Sequence, residues 1–295
     1  MIYFDHAATA GSRPPSVGEA MMHALEAVSA NPGRSGHRRS LEAARIVSGA
    51  RDEVAALIGA ADSSHVVFTK NATEAINICL LGLLKPGDTV LAGRFEHNAV
   101  MRPLRYLEAE RGVRVLDVPG DAETPVDLEA LERTLKQGNH AVRVVALASA
   151  SNVTGQIMPL REVGALCRKA GVFFLADGAQ GAGILDINVE RDCIDALALT
   201  GHKSLLGPTG TGALYLRDPD SVPPLLHGGT GSRSEAERQP DFVPDKFEAG
   251  TVNVTGLAGL TAGIRYARQI GMARRQAEQA ELLEHCGASS ERFLV

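Results

Sequence analysis

VFFLADGAQGAGILDINVERDCIDALALTGHK, residues 172–203, contains two apolar runs that each lead into polar residues. The runs at 172–176 and 194–199 are predicted strands, because short continuous apolar runs are typical of strands buried in a parallel sheet. Asp177 follows the first run directly, and Lys203 follows the second after three residues. Ligands of open α/β sheets bind beyond the carboxyl ends of the strands. We therefore expect Asp177 and Lys203 to face one crevice.

The same alternation of strands and helices extends outward from this stretch in both directions. Further strands are predicted at 65–68, 89–92, 114–118, 142–148 and 212–216, and helices at 73–84, 99–111, 127–137, 160–170 and 257–283. Residues 228–250 are rich in Gly, Ser, Arg and Glu and are predicted to form a long surface loop. The pattern predicts an α/β domain with a mainly parallel sheet.

Composition narrows the class of protein. The chain has 295 residues, 44% hydrophobic and 22% charged, which is typical of a globular protein. A net charge of −5 and the lack of a long basic stretch argue against a nucleic-acid partner. The four cysteines are too widely spaced to indicate a metal site or a disulfide framework. MIYFDHAATA lacks the pattern of a signal peptide, and no apolar run is long enough for a membrane span, so a cytoplasmic protein is expected.

Asp177 and Lys203 both have a specific chemical interpretation and a simpler alternative. An acid at the end of a buried strand needs a partner, and the protonated ring nitrogen of pyridoxal phosphate (PLP) would be one. The alternative is that Asp177 caps the next helix. Lysine forms imines with aldehydes when burial or nearby charge activates it. The alternative is that Lys203 is a solvated loop residue.

Polar residues also follow three other predicted strands. Thr73 lies where a helix is predicted to begin, which suits a phosphate, although it could equally be an ordinary N-cap. His97 could stack on an aromatic ring or move protons. Asn152 could donate a hydrogen bond to a phenolic oxygen. Five such positions after five strands favour a cofactor site over chance.

The motifs resemble those of the class V aminotransferase family, and within it those of the cysteine desulfurases and selenocysteine lyases. The combination of DGAQ with TGHK at this separation is specific to the family, and two N-terminal segments narrow the resemblance to the desulfurase-like branch. The matching segments are YFDHAAT at 3–9, NPGRSGH at 31–37, FTKNATEAIN at 68–77, EHNAV at 96–100, SNVTG at 151–155, ADGAQ at 176–180, TGHKSLLGPTGTG at 200–212 and FEAGTVN at 247–253.

The resemblance implies an overall architecture. The fold would be that of the type I PLP-dependent transferases, which is aspartate aminotransferase-like. Residues 16–256 would form the PLP-binding large domain. Residues 1–15 would associate with a small domain, and residues 257–295 would begin that small domain, which we expect to be truncated. The predicted helix at 257–283 would then expose a face, favouring poor stability or enforced dimerisation.

The resemblance also implies roles for individual residues. Lys203 would hold PLP as a Schiff base and move the substrate α-proton, His97 would stack on the ring and assist, and Asp177 would pair with the ring nitrogen. The further cofactor contacts would be Ala72, Thr73, Asn152, Gln180, Thr200, His202 and, toward the neighbouring subunit, Thr251. The substrate pocket would be bordered by His6, Ala7, Asn31 and Arg34. The alternatives are that His202 only packs beside Lys203 and that Arg34 is a solvated surface charge.

The function implied is release of sulfur from L-cysteine to give alanine, in a homodimer that passes sulfur to an acceptor protein. The family's nucleophilic cysteine loop and its carboxylate-binding arginine cannot be placed in this sequence, so activity of the chain alone is left open. Cys286 lies in a tail unlike the family's pattern, and Cys79, Cys167 and Cys193 are expected to be buried or structural thiols. The alternatives are an aminotransferase or lyase acting on another amino acid, and a non-catalytic truncated paralogue.

Overall fold

One seven-stranded sheet forms the centre of the computed structural model, which describes residues 3–33, 36–136, 142–232 and 235–285. The strands are β1 Val66–Thr69, β2 Thr89–Ala92, β3 Arg114–Asp117, β4 Val142–Ala148, β5 Phe173–Asp177, β6 Ala196–Thr200 and β7 Gly212–Leu216. Their order across the sheet is β1-β7-β6-β5-β4-β2-β3. Strand β7 is antiparallel to both neighbours, and all other adjacent pairs are parallel. The predicted α/β class with a mainly parallel sheet is confirmed.

Helices cover both faces of this sheet. They are α1 Pro15–His23, α2 Arg38–Ile58, α3 Ala72–Leu83, α4 Asn98–Arg111, α5 Leu128–Lys136, α6 Leu160–Ala170, α7 Val254–Ile270 and α8 Met272–His285. One apolar cluster joins the sheet to α2, α5, α6 and α7, and a second joins its other face to α3 and α4. Along β5, Phe174 belongs to the first cluster and Leu175 to the second, as the two-residue period of a strand requires. Among the described residues, no helix has the length and apolar character needed to cross a membrane.

Strands β5 and β6 each end one residue later than predicted. Asp177 is the last residue of β5 and lies opposite Ala148 of β4, while Thr200 ends β6 opposite Gly212 of β7. Both polar residues therefore belong to the ladder rather than to the loops that follow it. Their backbones are fixed by the sheet, so their side chains have defined directions at its carboxyl edge.

The single helix predicted at 257–283 is wrong. The segment forms α7 and α8, separated by Gly271, whose φ of +90° is incompatible with a continuous helix. Helix α7 begins early because the Asn253 side chain accepts a 2.9 Å hydrogen bond from the backbone N–H of Gly256. It packs against α1 and α2 and buries Leu257 and Leu260 among others. None of the residues of α8 is buried.

The predicted loop at 228–250 contains no helix or strand in its described part, but it is not confined to the surface. Lys246 is buried and donates a 2.8 Å hydrogen bond from Nζ to the carbonyl oxygen of Pro219. Phe247 joins the apolar cluster beneath α3 and α4. The end of this segment therefore packs into the core shortly before Thr251.

Candidate functional site

A cavity of about 420 Å³ lies at the carboxyl ends of the parallel strands. This volume lies within the range of about 300–1,000 Å³ that is usual for small-molecule sites. The structure brings ten of the expected site residues to its wall, namely Ala7, Ala72, Thr73, His97, Asn152, Asp177, Gln180, Thr200, His202 and Lys203. The remaining lining residues are Asp5, Ala8, Asn71, Phe95, Ala99, Ala148, Ala150 and Ala179.

Asp177 presents a buried carboxyl group to this cavity. Burial raises the pKa of Asp177, while the N–H of Ala179 and the positive charges of Lys203 and His97 oppose the shift. The hydrogen bond from Ala179 N to Asp177 Oδ1 is 2.9 Å long. The alternative that Asp177 caps a following helix is wrong, because residues 178–195 contain no helix. A buried carboxylate here gains from a cation brought into the cavity.

Lys203 is half-buried on the same wall of the cavity. Burial lowers the pKa of its amine, and the charge of Asp177 opposes the shift. A lowered pKa leaves more of the amine unprotonated at neutral pH, and the unprotonated amine is the form that attacks an aldehyde. This environment does not match the alternative of a freely solvated loop lysine.

The N-terminal segment is bound to the turn that carries Lys203. Thr9 Oγ1 lies 3.2 Å from the carbonyl oxygen of His202 and 3.1 Å from its Nδ1, and Ala10 N donates to the same carbonyl at 2.9 Å. Burial lowers the pKa of His202, and the positive charges of Lys203 and Arg13 add to the shift. Thr9 lies within the matched segment YFDHAAT, but its contact with His202 could not be read from the sequence.

One end of the cavity suits an anion. Helix α3 begins there, and its N-cap is Asn71, whose Oδ1 accepts a 3.0 Å hydrogen bond from Glu74 N. The alternative that Thr73 is the N-cap is therefore wrong; Thr73 is the second residue of the helix, where backbone N–H groups face outward. Thr200 Oγ1 lines the same cavity and is buried without a hydrogen-bond partner among the described residues. Such a hydroxyl is costly unless a bound group pairs with it.

Glu96 is a buried acid that the sequence interpretation did not assign. Its Oε1 accepts a 2.7 Å hydrogen bond from Ala148 N, and its Oε2 is buried without a partner among the described residues. Burial raises the pKa of Glu96 well above its usual range, and the charge of Asp177 adds to the shift. The motif EHNAV placed Glu96 beside His97, but a sequence cannot show that its side chain turns inward.

Three expected site residues lie away from the cavity. Asn31 Nδ2 donates a 3.3 Å hydrogen bond to Thr251 Oγ1, and both residues line a separate groove beside the start of α7. His6 packs edge-on against the Tyr3 ring, with centroids 5.0 Å apart. The structure does not bring these side chains to the Asp177–Lys203 cavity of this chain. Arg34 lies outside the described residues.

The described cysteines lie away from the cavity. Cys79 and Cys167 are buried, as predicted, and burial raises the pKa of both thiols. Cys193 is partly exposed, and its φ of +55° places it in a tight turn. Cys286 lies outside the described residues. Within the described ranges, no thiol lines the cavity.

The residues present fit PLP. The cofactor carries a ring nitrogen that can be protonated, an aldehyde and a phosphate. The same cavity contains a buried carboxyl at Asp177, an amine with a lowered pKa at Lys203, and an unpaired hydroxyl at Thr200 beside a helix N-terminus. Each of the three groups therefore has a chemically matched partner on the wall.

Comparisons with known proteins show which proteins the chain is similar to. Residues 2–289 match the family described as aminotransferase class-V. A probable cysteine desulfurase of Pyrococcus abyssi is 34% identical over 291 residues, covering 96% of this chain and 71% of that protein. One of Methanothermobacter thermautotrophicus is 36% identical over 293 residues, covering 98% and 72%. The apo structure of cysteine desulfurase from Thermococcus onnurineus NA1 superposes with a TM-score of 0.88 at 34% identity, covering 99% of this chain and 77% of that one. The aspartate aminotransferase-like fold expected from the motifs is confirmed.

Proposed function

Because the chain belongs to the class-V aminotransferase family of PLP-dependent enzymes, we propose that it is a cysteine desulfurase that releases sulfur from L-cysteine and leaves alanine. The observation that carries the proposal is the presence of Asp177 and Lys203 in one cavity, at the ends of neighbouring strands. The names of relatives that are 34% and 36% identical favour cysteine over other amino acids.

The cavity residues have separate tasks in this proposal. When bound, PLP supplies an electron sink next to the substrate Cα. Lys203 Nζ would hold the cofactor and, once the substrate amine has displaced it, would be the base that accepts the proton from the substrate Cα. Asp177 would pair with the ring nitrogen and keep it protonated, and His97 would lie against the ring. Ala72, Thr73, Thr200 and His202 would hold the phosphate, and Asn152 and Gln180 would contact the phenolic oxygen.

A thiol is needed for the sulfur transfer itself. A thiolate attacks the substrate sulfur, the carbon–sulfur bond breaks, and its electron pair stays with the carbon, which is protonated to give alanine. The attacking sulfur becomes a persulfide. Since none of the described cysteines lines the cavity, we propose that this thiol comes from a residue outside the described ranges or from a sulfur-acceptor protein.

We propose that two copies of the chain form a homodimer with shared sites. Thr251 is exposed and lies outside the cavity of its own chain, next to Asn31. In a dimer related by a two-fold axis, such a residue is available to the phosphate of the partner's cofactor. The groove that contains Asn31 and Thr251 would then lie at the interface.

The test is product analysis with the PLP-loaded chain, L-cysteine and an added small thiol. We expect alanine and sulfide in equal amounts, and neither from Lys203→Ala. A keto acid in place of alanine would indicate transamination and contradict the proposal. Product from selenocysteine alone would indicate a selenocysteine lyase. If PLP is bound and no amino acid gives a product, the proposal is wrong and the chain is a non-catalytic paralogue.

A further inference from the structure

The turn that follows Lys203 is contacted by an arginine from the far end of the described chain. Arg275 of α8 donates a 2.9 Å hydrogen bond from Nη2 to the carbonyl oxygen of Ser204, the residue after Lys203. Its Nη1 donates to the carbonyl oxygen of Gly183, in the turns that follow Asp177. One planar guanidinium therefore joins the segments that carry the two charged groups of the cavity.

These two segments are in direct contact where Arg275 joins them. Gly183 has a φ of +83°, and a Cβ atom there would lie 2.9 Å from Leu205 Cδ2 and 3.2 Å from the Ser204 carbonyl oxygen. A larger residue would push the segments apart. Arg275 is half-buried beside them, and burial lowers its pKa, although a guanidinium stays charged at any physiological pH. A charged donor to two carbonyls is stronger than a neutral one.

The Lys203 turn has a backbone geometry that needs outside support. Leu206 has a φ of +58°, which is unfavourable for a residue with a branched side chain. Its N–H donates a 2.9 Å hydrogen bond to the Lys203 carbonyl oxygen. On the other side, Arg13 Nε donates at 2.8 Å to the carbonyl oxygen of Gly207. The turn is thus held at both ends by arginines, one from the N-terminal segment and one from α8.

We propose that Arg275 is a positioning residue that sets how deeply Lys203 lies in the cavity, so that the docking of α8 controls the reactivity of the amine. The inference rests on the proposed function, in which Lys203 attaches the cofactor. Helix α8 buries none of its own residues, yet it places this guanidinium against both turns. Undocking of α8 would release the turn without unfolding the sheet.

The test uses the whole chain without cofactor. Trace labelling of lysines by an amine-reactive reagent over a range of pH, followed by peptide mass spectrometry, gives the pKa of Lys203 directly. In Arg275→Met we expect that pKa to rise toward the ordinary lysine value, because water reaches the amine. Hydrogen exchange of the 204–207 amides should become about tenfold faster, as expected for losing the support of roughly one hydrogen bond to a charged group.

Arg275→Lys should give a smaller effect in the same direction, since an ammonium group cannot reach both carbonyls in a fixed fork. The matched control is Arg274→Met, because Arg274 is 74% exposed, pairs with Glu278 and contacts neither turn. We expect the control to leave both readouts unchanged. The melting curve of each variant shows whether the whole protein has lost stability, which separates a global effect from a local change in the Lys203 turn.

Unchanged labelling and exchange in folded Arg275→Met would overturn the inference. If that variant does not fold, Arg275→Lys decides by the same two readouts, and parent-like values overturn it. Borohydride reduction of the PLP-loaded parent separates the two proposals. An unmodified Lys203 there would reject the proposed function, whereas the effect of Arg275 on the free amine is judged without cofactor.

Discussion

Glu96 accepts a hydrogen bond of 2.7 Å from the backbone N–H of Ala148, and this contact keeps a second buried carboxyl close to Asp177. Ala148 is the register partner of Asp177 across β4 and β5. The two acids therefore lie near each other at the carboxyl edge of the sheet. Since burial raises the pKa of both, a proton on Glu96 avoids two like charges in a poorly solvated place.

Glu96→Gln and Glu96→Ala should differ in stability. Glutamine keeps an oxygen that can accept from Ala148 N and adds a donor at the other position, so we expect little loss. Alanine leaves the Ala148 N–H unpaired and should lower the free energy of unfolding by about 1–3 kcal/mol. Urea denaturation at constant pH measures both. Equal losses in the two variants would contradict a hydrogen-bonding role for Glu96.

The parent and Glu96→Gln should differ in the pH dependence of their stability. Because the folded-state pKa of Glu96 is raised, its contribution to stability is fully present below the ordinary carboxyl pKa and is lost as pH rises through the folded pKa. Glu96→Gln has no such group, so its stability relative to the parent should increase with pH above about 4.5. A difference in stability that stays constant between about pH 4 and about pH 8 would show that Glu96 does not titrate as inferred.

Asp177→Asn should act on Lys203 through charge. The negative charge of Asp177 raises the pKa of the Lys203 amine against the effect of burial. Asparagine has the same shape without the charge, so the pKa of Lys203 should fall further in the cofactor-free chain. Amine labelling as a function of pH measures this. With PLP present, the ring nitrogen loses its counter-charge, so turnover should drop. Asn152→Asp adds a negative charge to the same wall and should instead raise the pKa of Lys203.

The ion pair of Arg51 and Glu248 should contribute strongly to stability. Both side chains are 8% exposed, and Glu248 also accepts a 2.7 Å hydrogen bond from Phe68 N. Arg51→Met leaves a buried carboxylate without its partner and should cost about 3–5 kcal/mol. Arg105→Met is the matched control, because its pair with Glu108 is exposed and should cost less than about 1 kcal/mol. Similar midpoints for the two variants in urea would argue against this ranking.

Mixed dimers test the shared site. Lys203→Ala and Thr251→Ala should each reduce activity when purified alone. When the two variants are unfolded together and refolded, half of the dimers would be mixed, and one of their two sites would contain both native residues. Activity should then recover to roughly a quarter of the parent's. Monomers in sedimentation, or no recovery despite mixed dimers, would reject the role proposed for Thr251.

The sheet and five of the cavity residues could be predicted from local patterns, whereas the other expected cavity residues came from the resemblance to the family. Apolar runs marked the strands, and the polar residues after them converge because parallel strands end at one edge. Glu96 was missed because its direction depends on the backbone of Ala148, which is 52 residues away along the chain. The contact of Arg275 with Ser204 joins residues 71 apart and leaves no local pattern.

The errors at helix ends have a similar cause. A lone glycine is tolerated within a helical pattern, so the break at Gly271 could not be distinguished from a continuous helix. The start of α3 was placed at Thr73 because threonine is a common N-cap, whereas Asn71 is an equally good cap and lies earlier. Which of the two residues caps α3 depends on the path of the chain between β1 and the helix.

Reductive trapping of the cofactor shows which lysine holds it. The chain is loaded with PLP, reduced with borohydride and digested, and the modified peptide is located by mass spectrometry. We expect one pyridoxyl-phosphate group, on Lys203 in the segment TGHKSLLGPTGTG, and none in Lys203→Ala. Modification of another lysine in the parent, or an equal yield in Lys203→Ala, would contradict this expectation.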